Sequence, residues 1–162
     1  MKSRINFSYI LMIWLLILLS PFAVSAIEKN IHLSQGEVIY VPAYSHIYIG
    51  SREQPFLLTI TISIRNIDPK NHITITTVDY YKTQGRLLRK YLDKAVTLKP
   101  LESLRYVVPE NDSRGGSGAN FVVEWQSDRP ANSPIVESIM IGAKSTQGIS
   151  FVSRGKVIHE TK

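Results

Sequence analysis

Residues 56–65, FLLTITISIR, decide the fold class. Every second residue, from Phe56 through Ile60 to Ile64, is large and apolar, and the residues between them are mostly small and polar. Alternation at period two, rich in β-branched residues, is typical of a strand with one buried face. The strand is expected to end at residues 66–71, NIDPKN, because Asn, Asp and Pro favour turns.

The same pattern returns along the chain, while no stretch keeps the 3.6-residue spacing of an amphipathic helix over three turns. A hairpin is expected at residues 80–88, where Gly85 supplies the positive φ of a tight turn. About eight or nine short strands, with turn residues every eight to twelve positions, predict an all-β, two-sheet antiparallel sandwich of the immunoglobulin-like kind. A closed β-barrel is the alternative. Further strands are expected at 73–81, 96–98, 104–108, 121–125, 135–141 and 148–153.

The N-terminus has the pattern of an export signal. Lys2 and Arg4 precede an apolar run over residues 10–19, and Val24-Ser25-Ala26 offers the small residues that a signal peptidase reads. Residues 1–26 are therefore predicted to be a signal peptide that is cleaved after Ala26, which places the mature protein in the periplasm or the extracellular space. The expected organisation is then a lead over 27–35, a β-sandwich domain over 36–153 and a frayed tail over 154–162.

Composition narrows the partners. Lys2 and Arg4 account for two of the six net positive charges, so the mature chain carries +4 as scattered residues, and no nucleic acid is expected as a ligand. The chain has no cysteine, so packing alone holds the domain together and neither thiol chemistry nor a cysteine-linked lipid is available. No second apolar segment is long enough to span a bilayer, so no stable membrane anchor is expected after processing.

Several short segments of the sequence occur together in one known family. They are residues 38–48 (VIYVPAYSHIY), 63–69 (SIRNIDP), 78–81 (VDYY), 115–121 (GGSGANF) and 146–151 (TQGISF). In this order they resemble a bacterial family of exported proteins catalogued as a domain of unknown function, DUF3124, and the resemblance covers residues 36–157. It implies export and one domain, and it carries no activity. Separately, residues 96–103 (VTLKPLES) are similar to the mid-domain segment of immunoglobulin-like bacterial modules, which favours the sandwich by analogy.

One segment carries the candidate binding residues. Tyr40, Tyr44, His46 and Tyr48 share one parity of an extended segment, so on a continuous strand they would form a row with neighbours about 7 Å apart. Flat rings with polar edges suit stacking on a glycan or packing on another envelope protein. The alternative is that these rings cover the edge of the sandwich core, because Tyr is a favoured strand residue.

A second candidate is the loop over residues 111–118, NDSRGGSG, which is expected to be mobile. Its backbone N–H groups and Arg114 would suit an anion. The loop does not satisfy Gly-x-Ser-x-Gly, and a strand follows it where a nucleophile elbow needs a helix.

No catalytic or metal constellation is found in the sequence. The four histidines, at 32, 46, 72 and 159, lack the close spacing of metal ligands, and no cofactor motif is present. Asp79 lies inside a predicted strand, where a buried carboxylate needs a partner such as Arg65 or Arg86. A non-enzymatic binding or assembly module of the bacterial envelope is therefore the favoured function. An exported hydrolase or metal-dependent enzyme is the alternative.

Overall fold

The computed structural model describes residues 32–50, 53–144 and 147–161, which all belong to one compact unit over 31–162. The predicted signal peptide and most of the predicted lead lie outside the described residues. Within these ranges alternating side chains produce strands almost throughout, and the single helical element that the ranges contain is a 3-10 turn, Ser113–Gly115. The strands are β1 Leu33–Ala43, β2 His46–Ile49, β3 Gln54–Leu57, β4 Thr59–Arg65, β5 Ile73–Tyr81, β6 Leu87–Lys90, β7 Val96–Leu98, β8 Ser103–Val108, β9 Ala119–Asn132, β10 Ile135–Lys144, β11 Gln147–Arg154 and β12 Lys156–Glu160.

Two antiparallel sheets form the sandwich. Sheet 1 has the order β12-β1-β9-β5-β6, with β7 also pairing with β5, and sheet 2 has the order β11-β10-β4-β8. Strands β2 and β3 form a separate hairpin. Both sheets end in edge strands among the described residues, so the predicted sandwich is confirmed and the closed barrel is not adopted. No helix able to cross a bilayer occurs in the described part of the chain.

The core lies between the two inner faces. From sheet 1 it takes Val41, Phe121 and Trp125, and from sheet 2 it takes Ile60 and Met140, all of which are fully buried. This is the outcome of the period-two pattern, because each strand places its apolar residues on the same side. The burial of Leu58 and Ile62, predicted by the alternation over residues 56–65, is confirmed, and Val123 is buried as well.

The expectation of a frayed C-terminal tail is wrong. Strand β12 pairs with β1, with Val38 opposite His159 and Ile39 opposite Val157. The chain passes from sheet 2 to sheet 1 at Gly155, whose N–H donates to the carbonyl of Val136 at 2.8 Å. A Cβ at Gly155 would collide with Ile39, so only glycine permits this close crossing.

A buried polar hub ties the sheets at one end. Asp68 accepts hydrogen bonds from the N–H groups of Lys70 and Asn71 through Oδ1, and from the backbone and side chain of Asn132 through Oδ2. These donors hold the pKa of the Asp68 carboxyl well below its usual range, the backbone N–H of Asn132 contributing most. Asn66 donates in turn to the carbonyls of Leu98 and Lys99. The turn predicted at residues 66–71 is confirmed, and it also joins β4 to the ends of β7 and β9.

Candidate binding surface

The tyrosine row does not form as one surface. Strand β1 ends at Ala43 and β2 begins at His46. Between them the N–H of Ser45 donates to the carbonyl of Gly116, and the carbonyl of Ser45 accepts from Leu58. The backbone of this buried serine is thus bonded to two other segments, and the strand is interrupted there. The residues after Ser45 therefore do not continue the face on which Tyr40 lies.

The members of the row therefore have different neighbours. Tyr40 lies on the outer face of sheet 1, between Val122 and Lys156 on the adjacent strands. Tyr44 is half-buried, and its ring centroid lies 5.8 Å from that of Phe151. Only His46 and Tyr48 come together, with ring centroids 5.3 Å apart in an edge-to-face arrangement.

The hairpin of β2 and β3 has one face toward the core and one toward solvent. Ile47 and Phe56 are opposite each other on the core side, whereas His46 is opposite Leu57, and Tyr48 is opposite Pro55, on the solvent side. Opposed residues of antiparallel strands point to the same face. Tyr48 is 54% exposed, so this hairpin presents an aromatic and aliphatic surface.

The solvent side of the hairpin continues into the outer face of sheet 2. Leu57, Thr59 and Thr61 keep one parity along β3 and β4, while Leu58 and Ile60 are buried. Gly142 of β10 lies on the inner face, where a Cβ would collide with the carbonyl oxygen of Leu57 and the ring of Phe56, so glycine lets this end of the hairpin pack closely against the sheet. The alternation of burial from Phe56 to Ile60 places Leu57 on the same side as Thr59, so the solvent side of the hairpin adjoins the outer face of sheet 2 at Leu57.

Branched apolar side chains lie on three of the four strands of this surface, and β4 contributes Thr59 and Thr61 between them. Val107 is opposite Thr61, Thr61 is opposite Ile139, and Ile139 is opposite Val152. Val107, Ile141 and Val152 are 45%, 54% and 52% exposed. Exposed apolar side chains that adjoin one another in this way are typical of interaction sites. We call this surface the apolar face and define it by Tyr48, Leu57, Val107, Ile139, Ile141 and Val152.

Charged residues border the apolar face at both ends. At one end Arg154 lies opposite Glu137, and Arg65 approaches Glu137 with 3.8 Å between Nε and Oε1. Arg105 lies one strand farther away, on the other side of Ser63. At the other end is a depression of about 290 Å³, lined by Pro55, Phe56, Leu57, Ala143, Lys144 and Glu110.

The loop over residues 111–118 is anchored in place, contrary to the expected mobility. Arg114 makes a two-pronged ion pair with Asp112, at 2.8 and 2.7 Å. The N–H groups of Arg114, Gly116 and Gly118 already donate to the side chains of Asp112, Ser45 and Thr83. These N–H groups are therefore already bonded within the protein, which leaves the predicted anion-binding role of Arg114 without support.

Sequence reasoning missed a second tyrosine cluster between β5 and β8. The ring of Tyr91 lies 5.1 Å from Tyr106 and 5.8 Å from Phe121, and Arg89 stacks 4.5 Å above it. Burial raises the pKa of Tyr91. These rings pack against the core along the side of the sandwich that β6 and β8 leave open. The alternation of Leu104, Tyr106 and Val108 was the only available signal.

The buried acids support the fold. Glu37 accepts from the indole N–H of Trp125 at 3.1 Å and from the Ser133 hydroxyl. Asp79 lies opposite Lys90 and Val122 on the outer face of sheet 1. The expected Arg65 partner is wrong, since Arg65 is in sheet 2 beside Glu137. Within the described residues, no three His, Cys, Asp or Glu side chains come close enough to hold a metal ion.

A family model described as "Protein of unknown function (DUF3124)" matches residues 36–158. The chain belongs to the DUF3124 family. A solved structure, "Crystal Structure of Thermotoga maritima 1070", is similar to this DUF3124 chain at 11% identity and a TM-score of 0.45, covering 79% of this chain and 97% of the other. No curated protein matches the sequence.

Proposed function

We propose that this DUF3124 protein is an exported, non-enzymatic binding or assembly module that recognises another envelope protein through the apolar face. The observation that carries the proposal is the exposure of Val107, Ile141 and Val152 on one continuous outer surface. Burying such side chains against a partner releases roughly 25 cal/mol for each Å² of apolar area removed from water. These side chains point away from the core of the sandwich, so about half of the surface of each stays open to a partner.

The chemistry of the border specifies the partner. Arg65, Arg105 and Arg154 outnumber Glu137 at one end of the apolar face. A partner with an apolar patch flanked by carboxylates complements this arrangement, since charge complementarity sets orientation and suppresses wrong partners. A glycan is the weaker match, because Tyr48 is the one strongly exposed ring of the face and stacking on sugars needs flat rings.

The buried carboxylates favour a binding role over catalysis. Asp68 and Glu37 each accept several hydrogen bonds from groups that connect strands. Asp112 is likewise held by Arg114. A general acid or base needs a proton that it exchanges with a substrate, whereas structural donors lower the pKa of Asp68 and of Asp112.

Export rests on the N-terminal pattern, and N-terminal sequencing tests it. The protein expressed with its leader in a bacterium should begin at Ile27 and be released from the periplasm by osmotic shock. Recovery of Met1 in the membrane fraction would reject export. This result is independent of the binding test below.

Site-specific photo-crosslinking in cells tests the binding role. A photoreactive residue at Val107 should capture a protein partner, and the same residue at Thr74, on the outer face of sheet 1, serves as the matched control. Capture from position 107 should disappear with Ile141→Asp and weaken with Arg105→Glu, while both variants keep the melting temperature of the parent. Equal capture from both positions, or capture indifferent to Ile141→Asp, would refute the proposal.

A further inference from the structure

The edge strand β11 differs from the other sheet edges. It spans eight residues, Gln147–Arg154, and pairs in unbroken register with β10. Among the described residues it has no strand on its other side. Its first seven residues, QGISFVS, contain neither a charge nor a proline. Edge strands expose unpaired N–H and C=O groups, and a long, regular, uncharged one is a template for another strand.

The neighbouring edge, that of sheet 1, shows how this chain protects a strand against pairing with another chain. Strand β12 carries Lys156 and Glu160 and has a bulge at Ile158, which lies between the partners of Val38 and Ile39. The remaining edges are short: β6 has four residues, β7 three and β8 six. Charges, bulges and short length all discourage pairing, and β11 has none of these protections over its first seven residues.

We propose that β11 pairs antiparallel with β11 of a second copy of this chain, which joins the two copies of sheet 2 into one eight-stranded sheet. A two-fold axis through Ser150 places Ser150 opposite its own copy, Gly148 opposite Val152, and Ile149 opposite Phe151. Ile149 and Phe151 both pack against the core side of the sheet. The pairing therefore matches apolar with apolar on the inner face and small with branched on the outer face.

Self-pairing also has no electrostatic penalty along the shared strand. Arg154 is the single charged residue of β11, and in this register it lies beyond the paired residues 148–152. Two copies related in this way present their outer faces on the same side, so Val152 of each copy lies at the seam. The pairing stands whether or not the apolar face binds a separate protein, because it uses the edge and not the face.

A single cysteine tests the register directly, since the chain has no cysteine of its own. Opposed residues of antiparallel strands have Cβ atoms about 4.5–5.5 Å apart, close to what a disulfide needs. Ser150→Cys should give a disulfide-linked dimer in oxidising buffer. Val107→Cys and Ile158→Cys, both exposed and on other edge strands, should form no disulfide-linked dimer. Absence of the disulfide in Ser150→Cys, or equal linkage at Ile158, would overturn the proposal.

Charge variants provide a test without a covalent bond. In light scattering the processed wild-type protein should have twice the mass of one chain, with a dissociation constant that Ser150→Lys and Ser150→Glu each raise by roughly fivefold or more. Mixing the two variants should restore the dimer, because opposite charges then face each other. Thermal melts establish that each variant is folded. Wild-type protein of single-chain mass up to about millimolar concentration, or a mixture no tighter than either variant, would refute the pairing.

Discussion

The outer faces of the two sheets differ in chemistry although the same core lies beneath both. On sheet 1 the outward side chains bind one another: the hydroxyls of Thr74 and Thr97 are 3.2 Å apart, and Thr77 donates to Glu124. Sheet 1 also exposes Tyr40, whereas on sheet 2 the branched side chains of Ile141 and Val152 are more exposed, at 54% and 52% against 37%. Because the period-two pattern already satisfies the core, the outer residues were free to be polar on both sheets. Their difference therefore points to recognition.

The largest expected loss of stability comes from a core residue that lies beneath both outer faces. Trp125 is fully buried on the inner face of sheet 1, and Trp125→Ala should lower the free energy of unfolding by about 3–5 kcal/mol through the cavity and the lost indole bond to Glu37. Gln126→Ala, its outward neighbour, should stay within about 0.5 kcal/mol. Urea denaturation measures both, and a loss below about 1 kcal/mol for Trp125→Ala would contradict the assigned core.

The next largest effect is expected at Asp68, whose hydrogen bonds connect the two sheets. In Asp68→Asn an amide group replaces one carboxylate oxygen and meets N–H donors, which should cost roughly 2–3 kcal/mol. The native pKa of Asp68 is lowered, so its stabilisation is complete above the unfolded value near 3.9 and is lost as the pH falls below it. The wild type should therefore lose more stability than Asp68→Asn between about pH 4 and pH 2. Parallel acid titrations of both proteins would show this convergence or exclude it.

Two tyrosines of the interrupted row separate packing from recognition. Tyr44→Ala should destabilise by roughly 1.5–3 kcal/mol, because its half-buried ring packs on Phe151. Tyr48→Ala should change stability by less than about 0.5 kcal/mol and weaken partner capture, because its ring belongs to the apolar face. Thermal melts and pull-downs on both variants decide between these roles. Unchanged capture in Tyr48→Ala would remove Tyr48 from the binding surface.

The smallest expected effect on stability tests the comparison most directly. Ile141→Thr gives sheet 2 the outer chemistry of sheet 1, and it should leave the free energy of unfolding within about 0.5 kcal/mol while reducing partner capture. Thr77→Val makes the reverse change on sheet 1. It should cost about 0.5–1.5 kcal/mol through the lost bond to Glu124 and leave capture unchanged. A large destabilisation by Ile141→Thr would mean that the residue serves the fold.

Local pattern predicted the strands and their inner faces, because alternation is a property of neighbouring residues and burial follows from it. The break at Ser45 was not predictable in this way, since it depends on Gly116, 71 residues along the chain. For the same reason residues 156–160 and Tyr91 were missed: β12 exists through its pairing with β1, and Tyr91 through its contacts with Tyr106 and Phe121. The apolar face could not be predicted from the sequence, because each strand contributes only one or two of its residues.

The pairing of β1 with β12 sets the order in which the domain is completed. Strand β1 has β9 and β12 as its neighbours. Residues near position 38 therefore complete their backbone hydrogen bonds only when residues near 124 and 159 are present. Such distant pairings slow folding to the order of milliseconds to seconds, because chain closure must precede the contacts that reward it. One edge of β1 therefore stays without its hydrogen-bonded neighbour until β12 has been synthesised.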